Sequence, residues 1–213
     1  MPRKDFLKLR DVLKDREGYY KISFFDNDRT YGYSFPKMLD TRTTLIDYKL
    51  GNGREISSVY LDVFPLDGMG NSLITAKAWY WTLKIFTRAV FLSKRNFRME
   101  TLPKTIIFAI PWLIAKMIGT YNLNKLFNFL AAIKDFDKSR YIANAAGRYG
   151  KREIFRQSIF ETIVEMPFED TTLWAPVRYE DYLSGLYGDY MKMPPIEERE
   201  SNHTLDAWWN EEV

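Results

Sequence analysis

The feature that most constrains this chain is a change of hydrophobic period on either side of Pro65. Residues 57–64 are rich in β-branched and aromatic side chains, which predicts a strand that Pro65 ends. From Leu73 onward, apolar residues recur at the three- and four-residue spacing of a helix, first as Trp79, Leu83, Phe86 and Val90. A chain that changes period over so short a distance must join a sheet to a helical block.

The flanking segments predict an α+β fold. A helix is expected near residues 3–15, and two more around 106–117 and 123–133. Strands are expected at 19–25 and 37–48, with a hairpin turn at Gly51-Asn52-Gly53, and a late hairpin at 161–168 and 171–174. A short helix follows at 180–187, and the remainder is predicted to be irregular with one helical turn near Leu205. We expect one domain over residues 1–213, with a helical insertion at 71–140.

Composition limits the chemistry that is open to this chain. It has 213 residues, no cysteine and one histidine, His203, which excludes disulfides and thiolate sites and argues against a histidine-based zinc site. Any metal should therefore be Mg²⁺ or Mn²⁺ held by carboxylates. The amino terminus is polar and no uncharged apolar run is long enough to span a bilayer, so we expect a soluble cytoplasmic protein.

Charge is unevenly distributed along the chain. Residues 73–118 hold eight Lys/Arg and one Glu, whereas residues 180–213 hold nine Asp/Glu and two Lys/Arg. The two segments either pack against each other, or the basic one faces an anionic surface. The basic face of the first long helix consists of Lys77, Lys84, Arg88 and Arg95; it is either a solvated face or a contact with anionic lipid at the inner face of the membrane. The net charge of +3 and the lack of a reader motif argue against nucleic-acid binding.

Two aspartates flank Pro65. Asp62 lies between apolar neighbours on the predicted strand, where a carboxylate is costly unless something satisfies it. A divalent cation, an arginine or backbone donors would each do so. Asp67 follows the proline at a turn into Gly68, where capping of the next segment competes with a metal-binding role.

A second distinctive segment lies near the carboxyl end. Tyr179, Tyr182, Leu183 and Leu186 have helical spacing, and Gly188 suits the end of that helix. Taken alone, this pattern is typical of a packed terminal helix followed by a rigid Pro194-Pro195 exit.

Together the two segments resemble the LicD family. Residues 61–68 (LDVFPLDG) are similar to the family signature IDIFPLDG, and residues 179–199 (YEDYLSGLYGDYMKMPPIEER), followed by His203, are similar to its closing signature. The opening residues MPRKDF resemble the MPR.DY run that begins the helix after the family's DDDID segment.

The resemblance implies a nucleotidyltransferase-like mixed sheet and a magnesium-dependent phosphotransferase. LicD-like proteins move a phosphorylated alcohol such as phosphocholine from a CDP-linked donor to a sugar of a surface glycan or lipopolysaccharide. Asp62 matches the family's third metal-binding carboxylate, and Asp67 matches a further acid. Substrate binding is implied for the closing residues, which are Tyr187, Gly188, Asp189, Arg199 and His203.

The resemblance also leaves a gap. The family's glycine-rich turn and DDDID segment would precede Met1, and Asp26 and Asp28 look like a turn rather than a replacement metal pair. We therefore expect either a fragment or a degenerate relative, with weak or absent activity for these residues alone. The alternative function is a non-catalytic module that binds a glycan or a membrane surface.

Overall fold

The computed structural model describes residues 1–14, 17–48, 55–95, 102–199 and 204–210. The helices are α1 (Arg3–Lys14), α2 (Leu73–Lys94), α3 (Leu102–Ile118), α4 (Thr120–Ala131) and α5 (Tyr179–Tyr187). The strands are β1 (Tyr20–Ser23), β2 (Lys37–Asp47), β3 (Glu55–Asp62), β4 (Asp67–Gly70), β5 (Tyr141–Ala143), β6 (Ile154–Arg156), β7 (Ile163–Phe168), β8 (Thr171–Pro176) and β9 (Leu205–Trp209). The predicted turn at residues 51–53 lies outside the described residues.

The long strand β2 organises the first sheet. On one edge it pairs along its length with β3; on the other edge its first part pairs with β1 and its last part with β9, all antiparallel. A register shift between Asp40 and Leu45 bends β2 where its partner changes from β1 to β9. The Arg42 guanidinium lies at this bend, 5.0 Å from the ring centre of Tyr19 and 5.1 Å from that of Trp209, and so joins the two short strands.

The prediction of irregular chain with a helical turn near Leu205 is wrong. Residues 205–209 form β9, which pairs with Thr43–Asp47 of β2. All five residues of β9 are exposed, so backbone pairing rather than burial holds this strand. A strand of this kind carries no apolar periodicity from which the sequence could have revealed it.

The second sheet, β4-β5-β6, forms the base on which the helices pack. The helices α2, α3 and α4 lie in the chain between the paired strands β4 and β5. The inner row of α2, which includes Ala76, Tyr80 and Leu83, is fully buried against Met69 of β4 and Phe127 of α4. A separate core under α1 contains Phe6, Leu13, Ile22, Phe24 and Val63.

The α+β class predicted from the sequence is confirmed. Every ladder between named strands in the described residues is antiparallel; parallel pairing is limited to an isolated bridge between Pro2 and Leu66. The predicted mixed sheet therefore differs from the observed one, in which even the strands joined by long connections, β4 with β5 and β2 with β9, pair antiparallel. The nucleotidyltransferase-like arrangement and the domain limits stay predictions.

Leu83 and Leu113 both fit the apolar spacing of a helix, but the structure buries only Leu83. We expect Leu83→Ala to lower the free energy of unfolding by about 3 kcal/mol, because the side chain is fully buried and its loss leaves a cavity. Leu113→Ala, at a site that is 54% exposed on α3, should cost less than about 1 kcal/mol. Urea unfolding of both variants measures the difference, and equal losses would contradict the packing described here.

Candidate functional site

Asp62 lies at the end of β3, directly across from Lys37 of β2. Lys37 is buried, and its Nζ lies 4.1 Å from the ring centre of Tyr33 and 3.6 Å from that of Tyr60. Because alternate residues of a strand share a face, Tyr60 and Asp62 lie on the side of the sheet that Lys37 occupies. This arrangement places an accessible carboxylate beside an ammonium group held by two aromatic rings.

The burial expected around Asp62 is not observed. Asp62 is exposed, and the neighbouring Leu61 is 59% exposed, because β3 is an edge strand of the first sheet. The strand that looked buried from its composition is therefore largely solvent-facing. Asp62 needs no cation to offset the cost of burial, because solvent reaches this residue.

A cleft separates the loop at residues 32–35 from α2. It has a volume of about 210 Å³, and its lining includes Tyr33, Phe35, Arg88 and Phe91. The side chain of Lys94 lies across Gly32 so closely that a Cβ at Gly32 would come within 1.9 Å of its Cδ. Aromatic faces combined with a guanidinium suit a ligand that carries both a ring and a phosphate.

The cleft and Asp62 are connected through aromatic side chains. The ring of Phe35 lies 4.4 Å from that of Phe64, which follows β3, and Tyr33 contacts Lys37 as described above. The same loop thus forms one wall of the cleft and packs on the end of β3 that carries Asp62.

Asp67 faces the interior instead. Its two carboxylate oxygens accept hydrogen bonds from Nε and Nη2 of Arg3, the latter at 2.9 Å, and only 2% of the residue is exposed. The guanidinium also donates to Asn128 Oδ1 of α4 at 2.7 Å. Burial raises the pKa of the Asp67 carboxyl, and the charge of Arg3 acts against that rise. Both carboxylate oxygens of Asp67 are therefore bound to Arg3, which indicates a structural role for this residue.

The closing segment forms α5 and the turns that follow it. Leu186 is buried, and the ring of Tyr187 meets that of Tyr149 edge-on at 5.2 Å. Gly188 ends the helix with a φ of 77°, which favours glycine. Asp189 is exposed, Arg199 donates to the carbonyl of Pro194 at 2.8 Å within its own turn, and His203 lies outside the described residues.

The four basic residues predicted on one face of α2 do not share one environment. Lys77 and Arg88 are exposed, and Arg88 lies 5.9 Å from the ring centre of Trp81. Arg95 follows the helix, 5.1 Å from the ring centre of Phe91. Lys84 is half-buried and donates to the carbonyl of Gly147, so it turns away from the exposed face.

Comparison with curated proteins finds the lipopolysaccharide cholinephosphotransferase LicD of Haemophilus influenzae. It is 28% identical to this chain over 219 aligned positions, which cover 98% of this chain and 78% of that protein. This similarity agrees with the resemblance to the LicD family that the two sequence segments carry. No protein-family model and no solved structure matches the chain.

The magnesium site expected of a LicD-like enzyme is not complete in the described residues. Within residues 1–14, 17–48, 55–95, 102–199 and 204–210, no three His, Asp or Glu side chains are grouped to hold a metal ion. Asp67 is held by Arg3, while Asp26 pairs with Arg10 at 2.9 Å and Asp28 accepts from the backbone of Thr30. Asp62 can supply one carboxylate, and one carboxylate does not fit a two-metal centre.

Sequence reasoning missed a buried polar group in the LicD-like chain. Glu153 is 3% exposed, its Oε1 accepts from the backbone N–H of Tyr149 at 3.2 Å, and it lies against Gly147, which Lys84 also binds. Burial raises the pKa of Glu153 and lowers the pKa of Lys84. Nearby, the Tyr80 hydroxyl is buried without a hydrogen-bond partner among the described residues. The residues of this group come from separate segments of the chain, so no local sequence motif predicts it. Tyr149 connects the group to the closing signature, because its ring contacts that of Tyr187.

The two aspartates of the LDVFPLDG segment should respond differently to truncation. We expect Asp67→Ala to lower the free energy of unfolding by about 3–5 kcal/mol, because it leaves the Arg3 charge buried without its partner. Asp62→Ala, at an exposed position across from Lys37, should cost less than Asp67→Ala, because solvent can reach the charge that remains. Chemical unfolding of the two variants under the same conditions measures this contrast, and a stable Asp67→Ala protein would refute the structural role.

Proposed function

We propose that this chain is a phosphotransferase that moves a phosphorylated alcohol, such as phosphocholine, from a CDP-linked donor to a sugar of a surface glycan or lipopolysaccharide. The observation that carries the proposal is the similarity to a lipopolysaccharide cholinephosphotransferase along 98% of the chain. That alignment spans both the LDVFPLDG segment and the closing segment, the two regions with the most distinctive residue patterns.

We assign donor binding to the cleft between residues 32–35 and α2. A CDP-linked donor carries a base ring and a diphosphate. Tyr33, Phe35 and Phe91 offer aromatic faces to the ring, and Arg88 offers a guanidinium that can pair with phosphate oxygens. The loop that forms this wall also packs beside Asp62, which brings the donor's phosphates toward an accessible carboxylate.

In this proposal Asp62 accepts the proton of the attacking sugar hydroxyl. The sugar oxygen then bonds to the phosphorus of the phosphorylated alcohol, and the bond from that phosphorus to the cytidine monophosphate leaving group breaks. An exposed carboxylate suits this role because the acceptor sugar belongs to a large glycan that must approach from solvent. The described residues do not complete a site for magnesium or manganese. The steps above therefore involve only the carboxylate and the substrates, and the metal ion is supplied in the assay.

The alternative is a non-catalytic module that binds a glycan or a membrane surface. The observation that favours it is that the described residues lack a three-carboxylate group for a metal. The two functions differ in one readout, because a binding module retains the donor or the glycan without releasing cytidine monophosphate.

The turnover assay centres on Asp62. Incubation of the chain with CDP-choline, lipopolysaccharide and Mg²⁺ or Mn²⁺ should release cytidine monophosphate only slowly, because the described residues do not complete a metal site, and Asp62→Asn should slow this weak release at least about 100-fold by removing the proton acceptor. Asp170→Asn, at an exposed site between β7 and β8, serves as the matched control and should leave the rate unchanged. Absence of turnover in the unaltered chain, with donor binding intact, would favour the binding module.

The donor cleft is tested by binding alone. We expect Arg88→Gln to weaken the affinity for CDP-choline by about tenfold in isothermal titration, because it removes the guanidinium from the cleft. Lys77→Gln removes an exposed charge three turns earlier on the same helix and should leave the affinity within about twofold. Equal affinities of the two variants for CDP-choline would show that the donor does not bind in this cleft.

A further inference from the structure

The helices α2, α3 and α4 expose apolar side chains on the faces that point away from the core. Their inner faces are buried through Leu83, Ala115 and Phe127. Away from these positions each helix carries exposed large apolar residues, which are Ile74, Trp81 and Ile85 on α2, Ile110, Leu113 and Met117 on α3, and Leu126 and Phe129 on α4. Met117 is 79% exposed and Phe129 67%. A helix at a water-facing surface normally shows polar side chains there, so these rows indicate a surface that meets another apolar medium.

The charge on these helices has a single sign. Together α2, α3 and α4 contain seven Lys/Arg and no Asp or Glu. Lys77, Arg88, Lys116 and Lys125 are all exposed. Basic and apolar side chains thus share the same helices, and no acidic side chain on them opposes an anionic partner.

Cations and aromatic rings are paired along this surface. Arg88 lies 5.9 Å from the ring centre of Trp81, and the Nζ of Lys116 lies 5.8 Å from that of Trp112. Trp112 also donates from its ring nitrogen to the carbonyl of Arg95 at 2.9 Å, which fixes the indole at the surface. Tryptophan beside lysine or arginine is the combination favoured at the interface between lipid headgroups and acyl chains.

We propose that this face of the helical block docks on an anionic bilayer, with the apolar rows among the headgroups and the basic side chains against lipid phosphates. The inference does not depend on the proposed phosphotransferase activity. Charge selects the lipid surface over a second copy of this chain, because two copies meeting face to face would oppose like charges. Among the described residues no helix is both long and apolar enough to cross a membrane, so the contact is peripheral.

Flotation with lipid vesicles tests the docking. The chain should float with vesicles that contain phosphatidylglycerol and remain behind with vesicles of phosphatidylcholine alone, and high salt should weaken the binding. Failure to float with the anionic vesicles at low salt would overturn the proposal. Both outcomes are read without donor or acceptor, so they are independent of catalysis.

Two glutamate variants at equally exposed methionines locate the contact. Met117→Glu places a negative charge within the proposed surface and should reduce vesicle binding about tenfold. Met191→Glu adds the same charge at a site that is also 79% exposed but lies after α5, and should stay within about twofold of the unaltered chain. Circular dichroism of both proteins confirms that they are folded.

Equal losses in the two variants would show that net charge alone governs binding and would overturn the assigned face. A different pair of results would assign the face to a second copy of the chain. In that case the unaltered chain would bind no vesicles but would form a concentration-dependent dimer in analytical ultracentrifugation, and Met117→Glu would abolish the dimer. The double variant Lys116→Gln/Lys125→Gln should lower anionic-vesicle binding about fivefold per residue. Unchanged binding in that variant would contradict the role of the basic residues.

Discussion

Arg3 and Asp67 form a buried ion pair on which the placement of the other groups depends. The guanidinium binds both oxygens of the carboxylate and also reaches Asn128, so it joins the first residues of α1, the start of β4 and the middle of α4. Backbone contacts reinforce the junction, since Leu66 N–H donates to the Met1 carbonyl at 2.7 Å and Pro2 forms a bridge with Leu66. A buried arginine without its carboxylate would be far more costly than an exposed one, so these segments are held in one arrangement.

That junction sets the two aspartates of the LDVFPLDG segment apart. Pro65 ends the first sheet between them, and the chain then enters the second sheet at Asp67. The result is that Asp62 remains at the solvent-exposed end of an edge strand while Asp67 turns inward to Arg3. The proposed donor site lies in the cleft between the loop before β2 and the helix after β4, and Phe35 of that loop packs on Phe64, two residues after Asp62.

The helical block adds a second surface with its own physical character. The inner rows of its helices are covered by the second sheet and by each other, while the outer rows remain apolar and are accompanied only by basic charge. The acidic carboxyl-terminal segment does not neutralise them through its strand, because β9 pairs with β2 of the first sheet.

The sequence by itself determined the elements that carry a strong period. The helices α1, α2, α3, α4 and α5, the strands β2 and β3, and the hairpin of β7 and β8 follow from apolar spacing, turn residues and proline, because these act within one segment. The LicD resemblance likewise followed from two local motifs. Only the tertiary structure decided the short strands β4, β5, β6 and β9, the inward turn of Asp67, and the buried group of Lys84 and Glu153. The strands β4 and β9 are held by partners distant in the chain, and β5 and β6 are only three residues long and so show no clear period. The surroundings of a charged side chain likewise depend on what folds against it.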